Sequence, residues 1–180
     1  MSCGHCSVES NPRLASGPDP ADLLARLEAL ADAGVSYVLL TGGEPMLRKE
    51  VVLELVRRGV QRGLRMGLYS NGFWGRKLDN AEAILKELKS AGLAALALSF
   101  DTFHADFQSV DPVLNIARIA HNFDIPVRVS ITRSRHEKSL EPALEALSQL
   151  DGVPIRFYDL QPVGAAKSLA EEDFRAESEG

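Results

Sequence analysis

A chain of 180 residues with 45% hydrophobic and 25% charged side chains, 14 glycines and 9 prolines reads as one soluble globular domain, long enough to bury a sizeable core. Its formal charge is −5, and Lys and Arg are scattered among Asp and Glu. That pattern speaks against nucleic acid as the main partner, since phosphate binding needs a concentrated basic surface. No stretch nears the ~20 apolar residues of a membrane span, and the start lacks the basic-then-apolar order of a signal peptide, so we expect no membrane partner and a cytoplasmic location.

The chain opens with "MSCGHCSVESNP", which holds both of its cysteines, Cys3 and Cys6, around His5. In a reducing compartment a C-x-x-C pair is a metal-ligand set or a redox pair more often than a structural disulfide. A helix follows from about Asp19 to Ala33, with Pro20 in its first turn and leucines and alanines at helical spacing. The β-branched and aromatic run "VSYVLLTGG" then reads as a buried strand stopped by glycines. The beat repeats. A helix over about Lys49 to Arg62 leads to "LRMGLYSNG", one over about Asn80 to Ala91 to "LAALALSFD", one over about Asp111 to Asn122 to "IPVRVSITR", and one over about Leu140 to Leu150 to "VPIRFYDLQPVG".

Strands alternating with helices imply right-handed crossovers and a parallel sheet covered by helices. Near-continuous apolar runs are what strands covered on both faces look like. The fold class is therefore α/β, either an open doubly wound sheet or part of a (β/α) barrel. No strand precedes the cysteine loop, and the acidic, apolar-poor end "AAKSLAEEDFRAESEG" reads as a frayed tail.

Function in parallel α/β folds gathers at the carboxyl ends of strands. Here those ends are "TGGEP" (Thr41 to Pro45), "SNG" (Ser70 to Gly72), "SFDTFH" (Ser99 to His104), "TRSR" (Thr132 to Arg135) and "QPVG" (Gln161 to Gly164), with the cysteine loop on the same rim. In "TGGEP" the glycines admit unusual backbone and let main-chain groups approach a ligand, while Pro45 stiffens the exit. The same tetrapeptide also serves as a plain strand-to-helix turn, and its local chemistry leaves the two readings open.

C-x-x-C on the first loop followed by a strand ending in GGEP resembles the radical S-adenosylmethionine (radical SAM) superfamily, over about Cys3 to Gly164. The resemblance implies a partial (β/α)6 barrel lacking its first strand. It implies a [4Fe–4S] cluster held by C-x-x-x-C-x-x-C, with Cys3 and Cys6 as the second and third ligands and the fourth iron chelating S-adenosylmethionine (SAM). It also implies SAM ammonium at Gly42, Gly43, Glu44 and Pro45, ribose and carboxylate near Ser70, Asn71, Ser99 and Asp101, and weaker adenine contacts around Thr132 and Gln161. The activity implied is reductive SAM cleavage to a 5′-deoxyadenosyl radical that takes hydrogen from a substrate.

Two departures stand out. His5 replaces the usual aromatic residue, and the first cysteine, four positions before Cys3, is not in the sequence. Lost strand and lost cysteine together read as an N-terminally truncated core domain over 1–164, with 165–180 a polar tail or the start of a missing C-terminal region. The partners implied are a small flavodoxin- or ferredoxin-like electron donor and an unknown peptide, protein or small-molecule substrate. Maturation of a peptide or metallocofactor and activation of a glycyl-radical enzyme are the roles to separate.

Readings from other classes stay open: half of a zinc site at Cys3, His5 and Cys6, completed by His104 or by another chain, a thioredoxin-like pair, or a degenerate barrel that binds a partner without catalysis. His104 and Asp106 read as loop or capping residues before substrate or proton-relay residues, and His121 as a surface or boundary histidine. Arg133, Arg135 and His136 form a solvated basic run, in which the arginines have an anionic substrate or the SAM carboxylate as their other reading. Phe73 and Trp74 read as packing. No Ser-His-Asp set and no GxxxxGK[ST] or GxGxxG phosphate loop is present.

Overall fold

The structure is a computed structural model that describes residues 3–7, 17–134, 140–170 and 174. Helix α1 (Pro20–Asp32) starts where the Asp19 carboxylate accepts the Ala21 amide at 2.8 Å, satisfying one of the donors a helix start leaves orphaned. It leads to β1 (Tyr37–Leu40), and the alternation continues through α2 (Lys49–Gln61), β2 (Arg65–Ser70), α3 (Leu78–Ala91) and β3 (Ala95–Ser99). It closes with α4 (Thr102–Ala105), α5 (Asp111–Ala120), β4 (Val127–Arg133), α6 (Glu141–Ser148) and β5 (Ile155–Asp159). Every strand and helix expected from the sequence is present. The one-turn α4 is an addition, set inside the stretch read as a loop.

All four strand pairs are parallel and the order is β1-β2-β3-β4-β5. Of the two α/β architectures open to the sequence, a doubly wound sheet reverses its strand order, and this one does not. Five strands in unbroken succession are a strip of barrel wall, and among the described residues β1 and β5 do not pair, so the barrel is not closed.

Side-chain alternation gives the strip two faces. Met66, Leu68, Leu96, Leu98, Val129 and Ile131 are all at most 1% exposed and pack with the helices, whose neighbours follow strand order: α1 on α2, α2 on α3, α3 on α5. Glu28 and Asp32 of α1 pair with Arg58 of α2 and with Arg62, the residue that ends it, across the outer surface. These exposed pairs add little beside the apolar seam beneath them.

The expectation of strands buried on both faces needs correcting at the edges. In β5, Phe157 is 47% and Tyr158 48% exposed, and β1 is only partly covered. An edge strand has a neighbour on one side alone, so an apolar composition does not bury it. The expected tail also begins inside structure, because the 3₁₀ turn Gly164–Ser168 spans the boundary at 164 and Ala166 is fully buried.

Candidate active site

The carboxyl ends of β1, β2 and β3 converge on two carboxylates, the partly buried Glu44 and the buried Asp101. Glu44 follows the exposed main chain of Thr41 to Gly43, where Gly42 at φ 152° takes a backbone conformation that residues with a Cβ rarely adopt. The Glu44 carboxylate turns inward. Its Oε1 accepts the Met46 amide at 3.0 Å and the Ser70 hydroxyl at 2.9 Å, and its Oε2 accepts the Asn71 amide at 2.7 Å. Burial pushes its pKa up, and these three donors pull against that rise.

Ser70 is the hub of this corner. While donating to Glu44 its Oγ accepts the Gly72 amide at 3.1 Å and the Trp74 indole N–H at 3.0 Å, and Ser70 is 1% exposed. Asn71 Oδ1 accepts the Phe73 amide at 3.0 Å, and its carbonyl accepts Gln108 Nε2 at 2.7 Å. The GGEP turn is thereby tied to the end of β2, and the end of β2 to the segment after β3. Trp74 is packing, as expected, with its one polar atom spent on Ser70.

The second carboxylate, Asp101, is 1% exposed. Its Oδ1 accepts the Phe103 and His104 amides at 3.0 and 3.1 Å, capping α4, and bonds His104 Nδ1 at 2.8 Å. Its Oδ2 lies 3.4 Å from His5 Nε2, and Ser99 Oγ meets the far side of the His104 ring at 3.2 Å. Burial alone would raise the Asp101 pKa, but the hydrogen bond and charge from His104, with His5 adding to them, outweigh it and hold the pKa down. Burial lowers the pKa of His5, against the pull of Asp101.

This network fastens the cysteine loop. His5 stacks on Phe103 with ring centroids 4.4 Å apart and meets His104 edge-on at 5.4 Å. On the opposite side the Cys6 carbonyl accepts the Ala165 amide at 2.9 Å, beside Gly164 at φ 58°. A Cβ on Gly164 would stand 2.3 Å from that carbonyl, so both the conformation and the space require glycine. Cys3 and Cys6 are half-buried, share one tight turn (Cys6 N–H to Cys3 carbonyl, 3.1 Å) and are not joined in a disulfide. Burial, with the nearby Asp101 charge, pushes the Cys3 thiol up to about 11. Two soft donors on one rim turn fit two corners of an iron–sulfur cluster, and the sequence contains no further cysteine.

Of the residues expected from the sequence, the structure brings Glu44, Ser70 and Asn71 into one bonded corner, and Ser99, Asp101 and the cysteine loop into a second. Both corners are on the same rim, and His104 is near enough to Glu44 to bear on its ionisation. Most polar atoms of these side chains are used within the protein. On the rim Thr41, Gly42 and Gly43 are exposed, as are Gln161, Pro162 and Val163 after β5. Arg133 instead pairs with Asp159 at 2.8 Å and lies over the Phe157 ring, on the helix side of the sheet. Arg135 and His136 lie outside the described residues.

Sequence reasoning passed over Gln108 and read His104 as a loop or capping residue, whereas His104 is buried and bonded on both ring nitrogens. The spacing D-x-x-H, which sets Asp101 and His104 one helical turn apart, was the available signal. His5, Asp101 and His104 also bring three ligand atoms within 4.8 Å of one another.

Comparison with known proteins identifies the family and the fold. The radical SAM superfamily profile matches residues 1–138. Among similar proteins are YydG of Bacillus subtilis, named for peptide biosynthesis (26% identity, over 96% of this chain and 54% of that protein), and the GTP 3′,8-cyclase of Lactiplantibacillus plantarum (30%, over 85% and 47%). The AdoMet-dependent heme synthase of Methanosarcina barkeri is 27% identical over 91% of this chain and 48% of that protein. The chain spans about half the length of these relatives. The solved structure of TsrM from Kitasatospora setae, a radical SAM methyltransferase with cobalamin and a [4Fe–4S] cluster bound, shares the fold at TM-score 0.65 and 20% identity, covering 91% of this chain and 36% of that one. Among the described residues no helix is long and apolar enough to cross a membrane. The chain belongs to the radical SAM superfamily.

Proposed function

We propose that this chain is the catalytic core of an enzyme that cleaves SAM reductively and uses the product radical to take hydrogen from a substrate, in the maturation of a peptide or the synthesis of a cofactor. The observation that carries the reading is the cysteine loop fastened by His5 to Asp101 and His104, on the same strand-end rim as the GGEP turn. Cys3 and Cys6 would supply two of the thiolates for a [4Fe–4S] cluster, and the exposed backbone of Gly42 and Gly43 would receive the SAM ammonium. When bound, these groups supply a one-electron reduction of the sulfonium and the radical that follows it.

The chain's own residues do the positioning. Glu44, held by Met46, Ser70 and Asn71, fixes the turn that carries Gly42 and Gly43. Asp101 and His104 fix the loop that carries the thiols. A small flavodoxin- or ferredoxin-like protein is the proposed electron source. The relatives named for peptide biosynthesis, GTP cyclisation and heme synthesis support this family of substrates.

The test is anaerobic iron–sulfur reconstitution of the chain and of an N-terminally extended form carrying a cysteine four positions before Cys3, followed by assay of 5′-deoxyadenosine from SAM under reductant. The extended form is expected to hold four irons and yield product, and the shorter chain to hold less iron and yield little. Absence of iron and product from both overturns the reading. A second reading, a divalent cation on His5, Asp101 and His104, rests on their converging ligand atoms. Stoichiometric zinc lost on His104→Ala would favour it.

A further inference from the structure

The sheet's second face lines the trough of the open barrel. Met66 packs against Gly59 of α2, so Met66, Leu68 and their register partners face the helices, and the alternate residues face the trough. Those alternate positions include Arg65 on β2, Arg128 on β4 and Arg156 on β5, with no Asp or Glu among them. In a chain of formal charge −5, one wall therefore carries three positive charges unopposed on the strands. Among the described residues no carboxylate forms an ion pair with any of the three.

Arg128 is only partly exposed, and its Nε is shielded from solvent without a hydrogen-bond partner. It shares a register row with Ala97 and Tyr69. In the next row, toward the rim, Ser99 pairs with Ser130 and Ser130 with Arg156. Ser130 is 1% exposed, and its hydroxyl meets no partner in hydrogen-bond geometry, although the Tyr69 phenol is near enough for the two to influence each other. The shielded Arg128 N–H is a donor awaiting an acceptor, and the Ser130 hydroxyl, with the Tyr69 phenol beside it, lies on the same concave wall.

We propose that this wall is the substrate subsite for an anionic group, a carboxylate or a phosphate, bound by the Arg128 and Arg156 guanidinium groups with the Ser130 hydroxyl donating beside them. The inference deepens the radical SAM reading by assigning the substrate to an anionic class, and rests on it in naming the ligand a substrate. Guanidinium suits this task because its planar fork meets two oxygens of one anion at once. The row also places the anion below Ser99, deeper in the trough than the GGEP turn and the cysteine loop. That is where a substrate would present its remaining part to the rim.

The test follows the arginine Nε–Hε resonances of the ¹⁵N-labelled chain during titration with inorganic phosphate, and separately with acetate, at constant ionic strength, with and without SAM. Loss of one resonance in Arg128→Gln assigns it. The expected result is a saturable shift of that resonance in the millimolar range, weakened at least about fivefold in Arg156→Gln; in Arg128→Lys, which keeps the charge but not the fork, the remaining Arg156 resonance is followed and its response is weakened to the same degree. Response to phosphate alone names a phosphorylated substrate, and response to acetate a carboxylate one. An unsaturable shift overturns the proposal, as does displacement of the anion by SAM, which would give the arginines to the cofactor. Should Arg128→Gln not fold, the wild-type titration and Arg156→Gln decide. The measurement needs no cluster and no turnover, so its outcome is separable from that of the 5′-deoxyadenosine assay.

Discussion

Replacing Ser70 with alanine removes one oxygen and strands three groups. The Glu44 carboxylate loses its 2.9 Å donor, and the Gly72 amide and Trp74 indole N–H lose their acceptor, at a residue 1% exposed. A buried polar group left unsatisfied costs about 1–3 kcal/mol, and the hydrogen bond to a charged acceptor lies at the upper end. The three losses share one site and do not add fully, so we expect about 3–5 kcal/mol in total. Against a typical reserve of about 5–15 kcal/mol this is a large fraction. For a chain of this size it lowers Tm by roughly 6–20 °C. Urea and thermal unfolding followed by far-UV circular dichroism measure it, with the near-UV signal of the single Trp74 reporting the corner itself. Ser90→Ala, which removes one exposed bond to the Lys86 carbonyl, is the control and stays within about 0.5 kcal/mol. A Tm fall below about 3 °C in Ser70→Ala, with an unchanged near-UV spectrum, would refute the hub.

Two further predictions concern the cysteine loop. Gly164→Ala forces a Cβ to within 2.3 Å of the Cys6 carbonyl at a backbone φ of 58°, so the loop gives way before the sheet does. Alkylation of the cysteines at pH 8 should quicken several-fold, while Tm falls by only a few degrees, because left-handed backbone at one alanine costs about 1–2 kcal/mol; unchanged alkylation would show that the contact does not hold the loop. With its pKa pushed up to about 11, Cys3 is thiolate to only about one part in a thousand at pH 8, so its alkylation rate should keep climbing through pH 9–11 rather than level off near 9. The folded chain keeps the Cys3 proton where the unfolded chain releases it. This contribution to stability is therefore full below pH 9 and lost as pH rises toward 11; a rate that levels near pH 9 would show the thiol to be unburied.

Much of this protein was written in local pattern. Alternating apolar runs and amphipathic stretches determined five strands and the helices between them, because periodicity and turn residues act over a few neighbours. The pairing of C-x-x-C with a strand ending in GGEP named the rim and the superfamily, because both motifs are contiguous in sequence. Three things were decided only in three dimensions. Strand order, and with it barrel wall over doubly wound sheet, follows from which crossovers pack side by side. The exposure of Phe157 and Tyr158 follows from β5 having one neighbour, which composition does not encode. The functions of Glu44 and Asp101 as internal anchors follow from donors 26 and 27 residues away at Ser70 and Asn71, and from His5 nearly a hundred positions upstream. The same holds for the trough: Arg65, Arg128 and Arg156 are dispersed among acidic residues along the chain, and pleat and register alone sort them onto one wall, since each strand shows alternate side chains to opposite faces.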